Sequence, residues 1–327
     1  MTLERDYVLG THDDEIKRLG LQHRVWRPRV LDAWRRAGFT VGQTLIDVGS
    51  GPGHATMDLA EIVGPAGRVV AIERSRRFLD ALQTTQRERG LHNIEAVELD
   101  LDDAQGLHNP KPERQRAGTA FPNPERERAG GLGLPPDQRG TKGGREGEAP
   151  AEPRPAAPLG EAWSKAHADG AWCRWVLCFV KRPREVLANI AQLLRPGSAL
   201  VLHEYFDYST WRFAPQCPEL EEFVGLVMQS WRAQGGEPDI ALSIPRWLGE
   251  LGFQIRSIQP IVEVVPPTSF VWHWPRSFIE VGLRRLVDLG FFTQQRAAAI
   301  LAAVAAAEAS PHTLVITPAV LEVIAVR

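Results

Sequence analysis

A chain of 327 residues can bury a full core and hold one or two domains. Its formal charge of −2, with no basic run, excludes a broad electrostatic pull toward nucleic acid. Three cysteines, Cys173, Cys178 and Cys217, make no Cys-x-x-Cys pair, which argues against a disulfide scaffold and a zinc site and suits a reducing cytoplasm.

In chain order, Tyr7-Val-Leu-Gly10 precedes Asp13-Asp-Glu-Ile-Lys-Arg-Leu-Gly-Leu-Gln-His23, the start of a leading helix. Met1-Thr-Leu-Glu-Arg-Asp6 has no apolar signal core, so a cytoplasmic chain is expected. Thr44-Leu-Ile-Asp-Val-Gly-Ser-Gly-Pro-Gly-His54 follows: an apolar strand, an acid, then Gly49, Gly51 and Gly53 at alternate positions. A glycine turn between strand and helix lets backbone approach a ligand closely, and the helix N-terminus then points N–H groups at it. A dinucleotide fingerprint reads G-x-G-x-x-G. Here the third glycine arrives one residue early.

Helix patterns are expected at 54–64, 75–89 and 182–195. Strands are expected at 68–73 and 93–100, ending near Glu73 and Asp100. Glu73 lies about 20 residues past the loop, where nucleotide-binding α/β folds keep a carboxylate for ribose hydroxyls. Residues 104–160 break the alternation. They hold 10 Pro and 10 Gly and no strand or helix period, so a disordered insertion is expected. Asp169-Gly-Ala-Trp-Cys-Arg-Trp-Val-Leu177 reads as the fourth strand and Ala199-Leu-Val-Leu-His-Glu204 as the fifth. Residues 247–258 give a short helix and a sixth strand, and 315–326 a seventh. The longest apolar run, 297–307, is too short to span a bilayer.

The G-x-G-x-G loop, with its downstream acids and strands in this order, resembles motif I and the following landmarks of the class I S-adenosylmethionine (SAM)-dependent methyltransferases. The broad group includes ubiquinone- and menaquinone-biosynthesis-type enzymes. The resemblance covers most of 1–103, 161–208 and 245–262, and returns at 315–327. It implies a doubly wound, Rossmann-like α/β fold: a seven-stranded sheet whose last strand is antiparallel, with a helical cap from 205–244 and 263–311. It implies SAM as cofactor, bound by Asp47, Gly49, Gly51, Gly53, Glu73, Asp100 and Arg174. In small-molecule enzymes that begin this way the leading helix covers the cofactor. Tyr7 then lies near the methyl, and Arg18 and Gln22 near the methionine carboxylate. A guanidinium matches that carboxylate fork.

The cap segments are rich in aromatics, among them Tyr205, Trp211, Trp231, Trp272 and Trp274, which points to an apolar pocket under a lid. His203, ending the fifth strand, is the first candidate base, with Tyr7 beside the methyl and His273 as an alternative. A His in an apolar strand also reads as a structural group. No metal-ligand spacing appears. The expected reaction is in-line methyl transfer to a small, largely apolar molecule at O, N or C, by a monomer or homodimer. No nucleic-acid or membrane partner is expected. A nicotinamide-dependent oxidoreductase and a non-catalytic SAM-binding protein are the alternatives.

Because 104–160 cannot build a core, replacing it with a short Gly/Ser linker should leave thermal stability and cofactor affinity nearly unchanged. A large drop in melting temperature of the shortened chain refutes this.

Overall fold

The computed structural model describes residues 13–103 and 167–327. Tyr7 and the 104–160 segment lie outside the described residues. Helix α1 (Asp13–Ala37) opens on three acids and closes on Arg35 and Arg36, matching the helix dipole at both ends. Trp26, Val30, Ala33 and Trp34 form its buried stripe at helical spacing.

Strands β1 (Thr44–Val48) and β2 (Arg68–Glu73) are buried from their second residue on. Near-continuous apolar runs of this kind suit a parallel sheet covered on both faces. Helix α2 (His54–Val63) links them, and α3 (Arg76–Glu88) leads to β3 (Ile94–Glu98). After the gap come β4 (Ala168–Arg174), α4 (Pro183–Leu193) and the long β5 (Leu194–Asp207). Strand β6 (Arg212–Ala214) and helices α5 (Pro218–Ala233) and α6 (Ile244–Glu250) precede β7 (Gln254–Ile261). The chain finishes with β8 (Val264–Val265), α7 (His273–Asp288), α8 (Gln294–Ala309), β9 (Leu314–Ile316) and β10 (Ala319–Val326).

The main sheet runs β3-β2-β1-β4-β5-β10-β7. β10 inserts antiparallel between β5 and β7, and β1 to β5 pair in parallel. This is the doubly wound sheet with an antiparallel closing strand that the sequence implies. The strand order reverses between β1 and β4, and in open α/β sheets ligands bind at that point, outside the carboxyl ends of the strands.

The cap departs from the expectation in one respect. Besides α5, α7 and α8 it contains β6 and β8, which pair with β9 in a separate three-stranded antiparallel sheet. Strands of two or three residues have no period to read.

The cap aromatics pack on one another. Trp175 is sandwiched between Tyr205 (centroids 5.4 Å apart, 11° between planes) and Trp274 (5.5 Å, 12°). Trp274 also meets Trp26 of α1 edge-on at 4.8 Å, locking cap to leading helix. Tyr208, Trp211, Trp231, Phe223 and Phe278 continue the cluster. Such ring pairs contribute about 0.5–1.5 kcal/mol each beyond burial.

Beneath β4, Glu204 of β5 is fully buried. Its Oε1 accepts the backbone N–H groups of Val176 and Leu177, both at 2.8 Å. Among the described residues its Oε2 has no hydrogen-bond partner. Burial pushes the carboxyl up to about 7 against those two bonds. Between its ordinary value of 4.5 and 7 the native state holds a proton that the unfolded chain has lost, so stability falls as pH rises through this window. Glu204→Gln keeps an acceptor for the two N–H groups and removes the titration. It should be more stable than wild type at pH 8 by on the order of 2–3 kcal/mol, an advantage that vanishes below about pH 4.5. Denaturant melts at several pH values check this.

Candidate functional site

At the β1/β4 reversal lies a cavity whose walls come from six places in the chain. The glycine loop gives Gly49, Ser50, Gly51, Pro52 and His54, and the end of β2 gives Ile72, Glu73 and Arg74. Leu99, Asp100 and Leu101 follow β3; Trp172, Arg174, Trp175 and Val176 end β4. Leu19 and Gln22 of α1 close one side, Phe179 and Val180 another.

The loop is pressed tightly into place. All three glycines have positive φ, from 55° to 86°. A Cβ on Gly49 would lie 2.3 Å from Val176 Cγ2, so only hydrogen lets the loop meet the β4 turn. Gly51 N–H donates to Glu73 Oε2 at 2.9 Å, and Ser75 N–H to Glu73 Oε1 at 2.8 Å. Burial raises the Glu73 pKa and those N–H groups oppose the rise. One carboxylate thus ties the loop to β2 while facing the cavity.

Opposite charges stand deeper in. Asp47 is 2% exposed and accepts from Thr56 Oγ1 at 2.6 Å. Burial raises it to about 6, opposed by Thr56 and by Arg174. Arg174 lies over the faces of Trp175 (5.0 Å) and Trp172 (5.7 Å). Its Nη2 meets His23 Nδ1 at 3.3 Å, and its buried Nη1 has no hydrogen-bond partner among the described residues. Burial lowers Arg174 to about 10, Asp47 opposing. Among the described residues Asp47 and Arg174 make no ion pair with each other, although each feels the other's charge. A glycine cradle, a ribose-type carboxylate and a separated acid–guanidinium pair in one cavity suit a nucleoside joined to an α-amino acid.

A family profile described as "Methyltransferase domain" matches residues 19–258, most of the chain. The chain belongs to that family. Its domain is that of a class I SAM-dependent methyltransferase. Two curated relatives are demethylmenaquinone methyltransferases, from Lactococcus lactis (32% identical over 77 residues, 24% of this chain) and Geobacillus stearothermophilus (34% over 76 residues, 23% of this chain). The matches span only 29% and 31% of those relatives' length. A solved phosphoethanolamine N-methyltransferase of Haemonchus contortus, bound to S-adenosylhomocysteine, superposes over 92% of this chain and 53% of its own. Its identity is 12% and its TM-score 0.47, too loose a likeness to bear on substrate.

Within this methyltransferase domain the structure brings Asp47, Gly49, Gly51, Glu73, Asp100, Arg174 and Gln22 around one cavity. Gly53 is not in its wall. It faces Leu82 of α3, where a Cβ would come within 2.6 Å of Cγ, so its role is packing. Arg18 is not in the wall either. Its guanidinium is committed to both oxygens of Glu15, at 2.7 and 2.6 Å, and to Gln22 Oε1 at 2.8 Å. Glu15, one turn earlier on the same helix face, takes the fork expected to meet a ligand carboxylate.

His203 lies outside the wall as well. It is fully buried in β5. Its Nε2 meets Glu322 Oε2 at 2.9 Å, and Trp172 and Trp26 pack on the ring. Burial lowers its pKa, as for a neutral structural histidine. His273 is exposed beside Phe270, away from the cavity. Among the described residues, none of 205–311 lines this cavity. Trp272, Trp274 and their neighbours are buried against one another, with Trp272 Nε1 donating to Glu308 at 3.0 Å.

Sequence reading missed Leu19, His54, Trp172, Trp175 and the pair His23–Asp58. Trp175 has a local signal of sorts, standing directly after Arg174. Its φ of 52° is unusual outside glycine and costs about 1–2 kcal/mol. The stack with Tyr205 and Trp274 holds it there. His23 and Asp58 are 35 residues apart and carry no shared motif.

Gly49→Ala should destabilise by about 1–3 kcal/mol through overlap with Val176, with roughly 1 kcal/mol more from the positive φ. Adding Val176→Ala should recover the overlap part and leave the conformational part. Calorimetric melts of the single and double variants separate the two.

Proposed function

We propose that this chain transfers the methyl group of SAM to a small, largely apolar acceptor at O, N or C. The observation that carries the reading is the convergence of Glu73, the glycine loop, Asp47 and Arg174 on one cavity at the strand-order reversal. In this reading Glu73 accepts from the ribose hydroxyls, Asp100 from the adenine amino group, and Asp47 faces the methionine ammonium. Gly49 and Gly51 let the backbone lie against the nucleoside. The bound cofactor supplies an electrophilic sulfonium methyl, so the chemistry asks the protein mainly for position and dryness.

The acceptor attacks the methyl in line. The new bond forms as the carbon–sulfur bond breaks, and the acceptor loses a proton where it carries one. Trp172, Trp175, Val176, Phe179 and Val180 give the cavity an apolar end that favours an acceptor with an apolar face and excludes water. Tyr7 remains a candidate for contact with the methyl. His54, in the wall, is lowered to about 4 by burial, which leaves it neutral near pH 7. A second reading, a SAM-binding protein without turnover, draws on the closed packing of the cap aromatics.

Charge-assisted bonds from the ribose hydroxyls contribute about 1.5–3 kcal/mol, so Glu73→Ala should weaken SAM about tenfold or more in calorimetry. Unchanged affinity, or tight NAD binding in place of SAM, overturns the assignment. Purified chain incubated with SAM and pooled quinol, phenol, amine and carboxylate acceptors should release S-adenosylhomocysteine. Tight SAM binding with no turnover across such pools favours the second reading.

A further inference from the structure

Arg174 reaches the cavity at the end of a buried relay. Arg27 Nε donates to Asp58 Oδ2 at 2.7 Å, and His23 Nε2 meets the same oxygen at 3.0 Å. His23 Nδ1 then meets Arg174 Nη2 at 3.3 Å. His23 and Asp58 are 5% and 6% exposed. The proton on His23 follows from its neighbours. An ionised carboxylate only accepts and a guanidinium only donates. The imidazole that satisfies both is neutral, with its hydrogen on Nε2 and a lone pair on Nδ1 toward Arg174. That bond occupies one guanidinium nitrogen and leaves the buried Nη1 unpartnered in a residue of the cavity wall. Of the other guanidiniums nearby, Arg18 is taken by Glu15 and Gln22, and Arg74 of the cavity wall stands 4.0 Å from the Asp100 carboxylate.

We propose that Arg174 is the group that binds the cofactor's carboxylate, and that neutral His23 is the positioning residue that aims it. The proposal rests on the cofactor reading above. Asp47 and Arg174, held apart in one cavity, then match the ammonium and carboxylate of an α-amino acid. Protonating His23 removes the Nδ1 acceptor and sets a second cation against Arg174, so carboxylate binding weakens at acid pH.

The charged groups around His23 are few. Arg27 belongs to its own helix, Asp58 and His54 to α2, and Arg174 to β4. The His54 ring stacks at 6.1 Å. Asp58 favours the protonated ring, whereas burial, Arg174 and Arg27 disfavour it, and burial is the largest influence. The pKa falls below its ordinary 6.5, which keeps His23 neutral at pH 7 to 8. Asp47, raised to about 6, also titrates on the acid side of neutrality, so variants of His23 are needed to tell the two apart.

The test is calorimetric titration of the full chain between pH 8 and 5.5 with two ligands. S-Adenosylhomocysteine carries the amino-acid tail; 5′-methylthioadenosine has the nucleoside and sulfur without it. Loss of one charge-assisted bond corresponds to roughly tenfold in affinity or more. Wild type should therefore lose affinity for S-adenosylhomocysteine as pH falls, by up to about that much once His23 is protonated, and little for methylthioadenosine. His23→Gln, which keeps a donor for Asp58 but offers Arg174 no Nδ1-like acceptor, should bind S-adenosylhomocysteine weakly even at pH 8. His23→Asn places an oxygen near the Nδ1 position and does not titrate. It should restore affinity at pH 8 and show a flatter pH profile than wild type. Methylthioadenosine binding should stay level across the variants, which also reports that they fold. Identical pH profiles for wild type and His23→Asn overturn the proposal in favour of Asp47. Parallel losses for both ligands overturn it as a general loosening of the site. If neither ligand binds wild type at pH 8, the cofactor reading falls and the proposal with it.

Discussion

The turn after β4 is where this molecule is most constrained. From below, Glu204 accepts the N–H groups of Val176 and Leu177. From the side, Gly49 approaches Val176 so closely that no Cβ fits between them. From above, Tyr205 and Trp274 clamp Trp175 in a left-handed backbone conformation. The cavity exists because these three restraints agree on where the turn lies. Arg174, directly before it, is carried to the cavity by the same geometry.

That arrangement concentrates burial costs at the carboxyl edge of the sheet. Asp47, Glu73 and Glu204 are all pushed upward by burial, and Arg174 and His54 downward. Each is partly compensated by aimed hydrogen bonds or opposing charge. Away from the cavity lining, His203 of β5 and Arg36 of α1 both meet Glu322 of β10. The two sets show the same residue types doing different work. What separates them is position: Arg174 stands in the cavity wall, whereas His203 and Glu322 do not.

The cap has a similar double character. Its aromatics suggest a substrate enclosure by composition alone, but they are satisfied by one another and by Trp26. Among the described residues, Trp175 and Phe179 belong both to that cluster and to the cavity wall, Phe179 through its edge-on contact with Trp231 at 4.6 Å. The stack on Trp175 therefore borders the cavity and holds the backbone of the β4 turn at once.

The sequence by itself determined the sheet and half of the site. Alternating apolar strands and helices, a glycine turn after β1 and acids at strand ends are local patterns, and local patterns survive in a linear string. Asp47, Gly49, Gly51, Glu73 and Asp100 could be located from them, and Arg174 from the fourth-strand landmark. The tertiary structure decided which polar groups line the cavity and which are consumed internally. Arg18 turned to Glu15, His203 to Glu322, and Gly53 to Leu82, because side-chain direction and long-range partners set those outcomes. His23, Asp58 and Arg174 became a relay only when α1, α2 and β4 packed together. No spacing along the chain encodes a meeting of residues that sequence separates by 35 and 151 positions.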